Sequence, residues 1–254
     1  MTGTLYLVPN TLDLGTGDAS APPDIEDTLP MGALRVAAAL PHWVAENAKT
    51  TRAFLKRVDQ RVPLARPLQE IGIVELPRPP KGGAATASPA LAPLLAPALA
   101  GQDMGLISEA GLPAVADPGA LLVAAAHAAG LAVRPLSGPS SLLLALSASG
   151  LNGQSFAFVG YLPVEAAARS ARLKELEALS RRQQQTQLMI ETPYRNAALL
   201  SAMLAALAPA TRVSVSVGLT LAGGWTRTLT VAQWRRDTPA LPDRVPAVFC
   251  LLAS

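Results

Sequence analysis

Two loops rich in Gly, Pro and Ser are the stretches of this chain best suited to hold a ligand. Residues 108–119 follow a short apolar run at 104–107, and residues 137–140 (Ser-Gly-Pro-Ser) follow another at 131–136. In such loops Gly lets the backbone approach a ligand, Pro fixes the loop, and N–H groups at the helix start can donate hydrogen bonds. Two such loops in succession indicate a binding site, although an ordinary tight turn is an equal alternative for either loop alone.

The elements around these loops repeat in the order strand, loop, helix. This pattern is typical of a parallel sheet, whose ligands bind beyond the carboxyl ends of its strands. The strand predicted at 43–45 ends at Glu46, which is therefore a candidate polar residue of the same edge. A solvated loop carboxylate, or a charge at a helix start, is the alternative for Glu46.

Composition indicates a folded cytoplasmic protein. The chain has 254 residues, half of them hydrophobic and 15% charged, which is enough for one large or two modest domains. No apolar stretch reaches the roughly 18 residues that span a bilayer, and we expect no membrane association and no signal peptide. The single cysteine, Cys250, lies in an apolar run and excludes an internal disulfide; we expect it to be a buried small hydrophobe.

Charge is distributed unevenly along the chain. Residues 1–149 carry ten Lys/Arg and twelve Asp/Glu, whereas residues 150–254 carry eleven and six. A basic second half that faces an anionic partner is one interpretation, and ordinary surface solubility is the other. The dense Lys/Arg clusters of a dedicated nucleic-acid binder are absent from the sequence.

Several common catalytic motifs are missing from the sequence. It contains no GxxxxGK[ST], no HExxH and no paired Cys, and neither His42 nor His127 has a partner nearby in sequence. Residues 15–18 (Gly-Thr-Gly-Asp) lack the third glycine of a dinucleotide fingerprint. We therefore expect neither a metal site nor a histidine-based triad.

We expect two domains, residues 1–150 and 151–254. Alternation at 212–218 and 225–231 predicts an antiparallel pair of strands in the second. The other predicted strands are 4–8, 43–45, 71–76, 104–107, 131–136, 156–159, 187–190 and 246–252. Predicted helices cover 31–40, 50–58, 120–129, a segment after residue 140, 164–180 and 193–207, with 89–100 interrupted by its prolines and 77–90 an irregular connection.

Five segments in order resemble the tetrapyrrole methylase superfamily of S-adenosylmethionine methyltransferases. They read SEAGLP (108–113), ADPG (116–119), LSGPS (136–140), ASGL (148–151) and FAFVGYLP (156–163). The resemblance covers nearly the whole chain. It is strongest to the branch that 2′-O-methylates a cytidine ribose of 16S ribosomal RNA, whose Glu-Ser-Pro-His-Arg is similar to ETPYR at 191–195.

The resemblance implies two α/β domains, the N-terminal one with a mostly parallel sheet and the C-terminal one with a mixed sheet. It also implies S-adenosylmethionine folded into the cleft between them, and a homodimer. Gly111 and Gly138 would allow close backbone approach, and Ser140 would hydrogen-bond the cofactor. The implied cofactor-binding residues are Ser108, Glu109, Ala110, Gly111, Pro113, Val115, Ser137, Gly138, Pro139, Ser140, Ser141, Glu191, Thr192, Pro246 and Ala247.

Methylation of a ribose hydroxyl would benefit from a carboxylate base. By the resemblance, the candidates are Glu109, Glu46 and Glu191, and the candidate substrate-binding residues are Arg52 and Arg195. For Asp117, which precedes Pro-Gly, we favour the bracing of its own turn over a catalytic role.

The sequence also departs from the ribosomal branch. The first loop keeps Pro9 and Asn10 but not the following glycine, Glu109 replaces the usual aspartate, and residues 152–155 read NGQS where that branch carries a Pro-Thr-Asp-Arg-like turn. Three functions therefore stay open. The acceptor is ribosomal RNA, or it is a tetrapyrrole or other small molecule, or the protein binds the cofactor without catalysis.

Overall fold

Ten short strands form two five-stranded sheets within residues 1–13, 23–77 and 91–254, which the computed structural model describes. The Gly-Thr-Gly-Asp stretch at 15–18 lies outside the described residues, as does nearly all of the connection predicted at 77–90. The chain divides into two compact units, unit 1 with the described residues up to Pro139 and unit 2 from Ser140 to Ser254.

Unit 1 is built on a wholly parallel sheet with the strand order β3-β2-β4-β1-β5. The central strand β4 is buried at all four positions, as expected for a strand with neighbours on both edges and helices on both faces. The strands are β1 (Thr4–Leu7), β2 (His42–Ala45), β3 (Gly72–Glu75), β4 (Met104–Ile107) and β5 (Ala132–Pro135). The helices are α1 (Met31–Ala39), α2 (Ala48–Asp59), α3 (Ala96–Leu99) and α4 (Ala120–Ala128), with 3-10 turns at Ile25–Asp27, Leu68–Glu70 and Ala92–Leu95.

Helix α2 begins directly after the carboxyl end of β2. The Asn47 side chain caps it by accepting hydrogen bonds from the N–H groups of Lys49 and Thr50, which would otherwise lack helical partners. Phe54, Leu55 and Val58 form its buried face. The cap fixes where the chain turns, and thereby places Glu46 at the sheet edge.

Unit 2 is built on a mixed sheet with the order β6-β7-β10-β8-β9. Strands β6 and β7 are parallel, and the other three pairs are antiparallel, with β10 lying between β7 and β8. The strands are β6 (Phe156–Tyr161), β7 (Thr186–Ile190), β8 (Arg212–Val217), β9 (Trp225–Thr230) and β10 (Ala247–Leu252). The helices are α5 (Ser141–Ser149), α6 (Ala166–Gln183), α7 (Asn196–Ala206) and α8 (Val231–Trp234), with a 3-10 turn at Pro193–Arg195.

Helix α5 packs against the second sheet. Leu142 and Leu146 form a buried cluster with Leu188, Val248 and Cys250. Burial raises the pKa of the Cys250 thiol to about 12, so this cysteine is the inert small hydrophobe that was expected. The contacts of α5 place this helix in unit 2, and the domain boundary at residue 150 stays a prediction.

The predicted fold class is confirmed: one sheet is parallel, the other is mixed, and helices flank both. The predicted hairpin is present as β8 and β9. The short helix α8 was not predicted, although the Thr230 and Gln233 capping box in the sequence indicates a helix start. Among the described residues, no helix combines the length and hydrophobicity that crossing a bilayer requires.

Candidate functional site

The residues directly after strands β1, β2 and β5 of unit 1 donate backbone hydrogen bonds to the carboxyl end of a neighbouring strand. Val8 N donates to Leu106 O at 2.9 Å, Glu46 N to Ile107 O at 3.1 Å, and Leu136 N to Leu7 O at 3.0 Å. The loops after β1, β2, β4 and β5 therefore lie at one edge of the sheet. This is the edge at which open α/β sheets bind ligands.

Asn10 connects the loop after β1 to the loop after β4. Its backbone pairs with Gly111, with N donating to Gly111 O at 2.9 Å and O accepting in return at 3.2 Å. Its side-chain Nδ2 donates to Ser108 O at 3.1 Å and to Glu109 O at 3.0 Å. Asn10 is buried, and these bonds fix the path of residues 108–111. The family resemblance marked this position, but not its role.

Glu46 holds the same loop from the other side. Its Oε2 accepts a hydrogen bond from the Glu109 backbone N–H at 3.0 Å. The structure therefore brings together two of the predicted catalytic residues, Glu46 through its carboxylate and Glu109 through its backbone. It gives Glu46 a definite partner, unlike the solvated carboxylate that was the alternative.

Asp117 is the third carboxylate of this edge. Its pKa is raised to about 6, chiefly by burial, then by the nearby charge of Glu46, with a smaller contribution from Glu109 and an opposing hydrogen bond with Ser108. The expectation that Asp117 only braces its own turn missed this set of neighbours. We call Glu46, Glu109 and Asp117 the carboxylate cluster.

The Ser108 hydroxyl can serve both protonation states of Asp117. It is buried and donates to Ala110 O at 3.0 Å. A hydroxyl carries one hydrogen and two lone pairs, so in this orientation Oγ can accept from a protonated Asp117. When Asp117 is ionised, the hydroxyl hydrogen can rotate toward the carboxylate instead.

The loop between Ser108 and helix α4 contains backbone that L-residues rarely adopt. Gly111 has φ of +65°, and Ala114 and Ala116 have φ of 66° and 64°. Only the glycine adopts this conformation without a steric penalty. Strain of this kind is characteristic of functional loops held by their surroundings, and here it turns the chain so that Asp117 reaches Ser108.

Gly138 has a packing role. A Cβ at this position would lie 2.2 Å from Pro9 Cβ, so no larger residue fits. The loop after β5 therefore packs directly on the loop after β1. The predicted close approach of Gly138 to a cofactor stays a prediction, beside this packing reason for a glycine.

Arg57 of α2 anchors the chain on both sides of the undescribed residues 14–22. Its Nη1 donates to Thr11 Oγ1 at 3.2 Å and to Asp13 Oδ2 at 2.9 Å, while Nη2 donates to Pro23 O at 2.9 Å. Thr11 N in turn donates to Asn10 Oδ1 at 2.9 Å. A continuous hydrogen-bond network therefore runs from α2 through Asn10 to residues 108–111. The spacing of the motifs did not predict this network.

In unit 2, the predicted residues Glu191, Thr192 and Arg195 form one cluster after strand β7. Glu191 Oε1 accepts from Thr192 N at 2.7 Å and from Arg195 Nη2 at 2.6 Å, and Arg195 Nε donates to Thr192 Oγ1 at 3.2 Å. The side chain of Glu191 is only 2% exposed. A buried carboxylate held in this way is committed to an ion pair.

Pro246 and Ala247 stand at the start of β10 and contact the end of β8. Pro246 O accepts from Gly218 N at 3.0 Å, and Ala247 is buried in the strand pair with β8. Asn196, at the start of α7, donates through Nδ2 to Val245 O at 3.0 Å. Its Oδ1 is buried and has no hydrogen-bond partner within the described part of the chain, so a polar group could still be accommodated there.

The remaining predicted residues have less specific surroundings. Arg52 is exposed, and its Nη1 makes a 3.4 Å contact with Ala48 O of its own helix. Pro113 is buried, Val115 is 44% exposed, and Ser140 forms no side-chain cap on α5. In residues 1–13, 23–77 and 91–254, no group of His, Cys, Asp or Glu is arranged to hold a metal ion.

Comparison with known proteins connects this architecture to methyltransferases. The chain is 42% identical over 127 residues to "Ribosomal RNA small subunit methyltransferase I" of Mesorhizobium japonicum, a match that covers 50% of this chain and 42% of that protein. It is 50% identical over 78 residues to the protein of the same name from Xylella fastidiosa, covering 31% of this chain and 29% of the other. The chain thus matches less than half the length of these relatives.

A solved structure of similar fold is that of uroporphyrin-III-C-methyltransferase from Thermus thermophilus. The TM-score is 0.53 at 19% sequence identity, over 98% of this chain and 94% of that one. At this identity the likeness establishes the fold. The family described as Tetrapyrrole (Corrin/Porphyrin) Methylases matches residues 19–233, most of the sequence, and the chain therefore belongs to that family.

Proposed function

We propose that this chain is an S-adenosylmethionine-dependent methyltransferase that acts on a ribose 2′-hydroxyl of ribosomal RNA. S-adenosylmethionine, the cofactor expected from the sequence, is the methyl donor of this family. The observation that carries the proposal is the loop 108–111, held by Asn10 and Glu46 next to Asp117. The name shared by the Mesorhizobium and Xylella relatives supports an RNA acceptor.

The residues present fit the cofactor chemically. S-adenosylmethionine supplies a methyl group on a positively charged sulfonium, and the protein contributes position and electrostatics. The carboxylate cluster would stabilise a positive charge near residues 108–111. In unit 2 the buried Asn196 Oδ1 beside Val245 supports the predicted involvement of Pro246 and Ala247.

The three predicted base candidates differ in what they can do. Glu191 is occupied by its ion pair with Arg195, and we propose a structural role for it. Glu46 is committed to the Glu109 N–H, and we propose that it positions the loop. Glu109 stays a candidate for binding the cofactor.

We propose Asp117 as the general base. A carboxylate with a pKa near 6 is ionised at neutral pH yet more basic than an ordinary aspartate, which favours proton removal from an alcohol. As the O–CH₃ bond forms and the S–CH₃ bond breaks, the hydroxyl proton would pass to Asp117. Ser108 would stabilise both protonation states of that carboxyl group.

A tetrapyrrole acceptor is the second candidate, because a uroporphyrin methyltransferase shares the fold. We also propose that the protein is a cytoplasmic homodimer. Phe156 and Phe158 support the dimer, since they are 43% and 38% exposed on the edge strand β6. Exposed aromatic residues on a sheet edge are typical of an interface.

The test is transfer of a labelled methyl group from S-adenosylmethionine. The acceptors would be unmodified 30S subunits, free ribosomal RNA and a precorrin, each with wild-type protein and with Asp117→Asn. We expect label in a ribose of 30S RNA with wild type and a loss of roughly 100-fold or more with the variant. Label in the precorrin alone would replace the RNA proposal by the tetrapyrrole one.

A further inference from the structure

We propose that Tyr194, backed by Arg195, is a stacking platform for an unpaired base of the RNA acceptor. The proposal rests on the proposed function, which it extends to the way in which the acceptor is bound. Tyr194 lies in the 3-10 turn Pro193–Arg195, directly after the Glu191-Thr192 pair at the carboxyl end of β7.

Tyr194 is unusually exposed for an aromatic side chain. Its relative exposure is 73%, and of the large apolar residues described only Met1, at the chain start, exceeds it. A ring of this size usually gains stability by burial, and it gains little here. An aromatic ring kept in water is a common feature of surfaces that bind planar ligands.

The ring is nevertheless held in place. Pro193 restricts the turn, and Arg195 Cζ lies 5.7 Å from the centroid of the Tyr194 ring, within the range of a cation–π contact. Arg195 is itself fixed by its hydrogen bonds to Glu191 and Thr192. A base that stacks on this ring would therefore meet a pre-ordered surface.

The charge of the platform indicates how it binds. The guanidinium of Arg195 is paired at 2.6 Å with the buried carboxylate of Glu191. The pair is close to neutral, and it has little remaining attraction for a phosphate. Stacking on the exposed face of Tyr194 is then the main source of affinity, and sequence-specific RNA binders use aromatic residues in this way for unpaired bases.

The experiment measures binding of a fluorescent single-stranded RNA in the presence of S-adenosylhomocysteine, over a series of salt concentrations. The variants are Tyr194→Ala, Tyr194→Leu, Tyr194→Phe and Tyr194→His. We expect Ala and Leu to weaken binding about 5- to 150-fold, and Phe and His to stay within about threefold of wild type. The slope of log K against log salt should be unchanged, because no phosphate contact is removed.

Leucine is the discriminating variant, since it keeps apolar volume but lacks a planar face. Equal affinity of the Leu and Phe variants, unchanged affinity of the Ala variant, or no RNA binding by wild type would each overturn the proposal. The proposal would also be overturned if Tyr194→Ala weakened the affinity for a tetrapyrrole and left the affinity for RNA unchanged. Calorimetric titration of S-adenosylmethionine distinguishes failure of the stacking proposal from failure of the proposed function. The four Tyr194 variants should bind the cofactor as wild type does.

Discussion

The Glu46 carboxylate accepts a hydrogen bond from the Glu109 backbone N–H at 3.0 Å, across the carboxyl ends of neighbouring strands β2 and β4. Glu46 therefore has two effects. Its hydrogen bond fixes the loop proposed to bind the cofactor, and its negative charge raises the pKa of Asp117. The two effects can be separated by substitution.

Glu46→Gln should keep the loop in place, because the amide oxygen can still accept the Glu109 N–H, while the charge is lost. The pKa of Asp117 should then fall toward its ordinary value. We expect the acidic limb of the pH–rate profile, near pH 6 in wild type, to move to lower pH. Glu75→Gln is the control, since Glu75 accepts from Ala48 N and is not among the groups that shift Asp117. An unmoved limb in Glu46→Gln would contradict the assignment of Asp117.

Asp117→Asn should stabilise the fold at neutral pH. The pKa of Asp117 is about 6 in the folded protein against an ordinary value of 3.8, so ionisation opposes folding. The wild type should therefore lose stability as the pH rises from about 4 to above 6, by about 1–2 kcal/mol after allowance for partial solvent exposure. Chemical denaturation at pH 4 and pH 7.5 measures this.

We expect the variant to be the more stable protein at pH 7.5 only. Asp24→Asn should instead lower stability relative to wild type at pH 7.5. A hydrogen bond from Glu26 N lowers the pKa of that exposed carboxyl group, so its ionised form favours folding. If the Asp117→Asn variant were no more stable than wild type at either pH, Asp117 would carry no burial penalty.

Arg57→Ala should weaken cofactor binding indirectly, since we place Arg57 outside the cofactor site. The substitution removes the bonds to Thr11, Asp13 and Pro23 and loosens the network that reaches Asn10. We expect a loss of about 1–3 kcal/mol in the free energy of unfolding, with a weaker affinity for S-adenosylmethionine in calorimetry. Arg57→Lys should recover part of both, since one charged contact is retained.

Arg61→Ala is the matched control for Arg57. Arg61 pairs with Asp24 at the surface of the protein, where ion pairs contribute about 0–1 kcal/mol. Equal effects of the two alanine variants on cofactor affinity would argue against the network.

Ala116→Gly should stabilise the fold. Alanine at φ of 64° carries a steric penalty of about 1–2 kcal/mol, whereas glycine carries none but loses more backbone entropy. We expect a net gain of about 0.5–1 kcal/mol in the free energy of unfolding. Ala125→Gly in helix α4 should lose about that amount, because glycine disfavours a helix interior. A destabilised Ala116→Gly would mean that the conformation is not strained.

The meeting of Glu46 and Glu109 was predictable from the sequence. Apolar runs located β2 and β4, and carboxyl ends of parallel strands share an edge. That the two strands are direct neighbours was not predictable, because pairing order depends on long-range contacts.

The position of Asp117 against Ser108 could not be predicted from the sequence. It lies well beyond the end of β4, and its place against Ser108 depends on left-handed backbone at Ala114 and Ala116. Alanine gives no local signal for that conformation. The Arg57 network was hidden for a related reason, since its members are brought together only by folding.

Calorimetric titration of S-adenosylmethionine and S-adenosylhomocysteine tests the central claim most directly. It would use wild type, Gly111→Val and the control Gly32→Val, a helical position with open space around it. A valine at Gly111, where φ is +65°, should disrupt the loop. The account predicts binding by wild type and Gly32→Val and its loss in Gly111→Val. Absence of binding by wild type up to millimolar cofactor would contradict it.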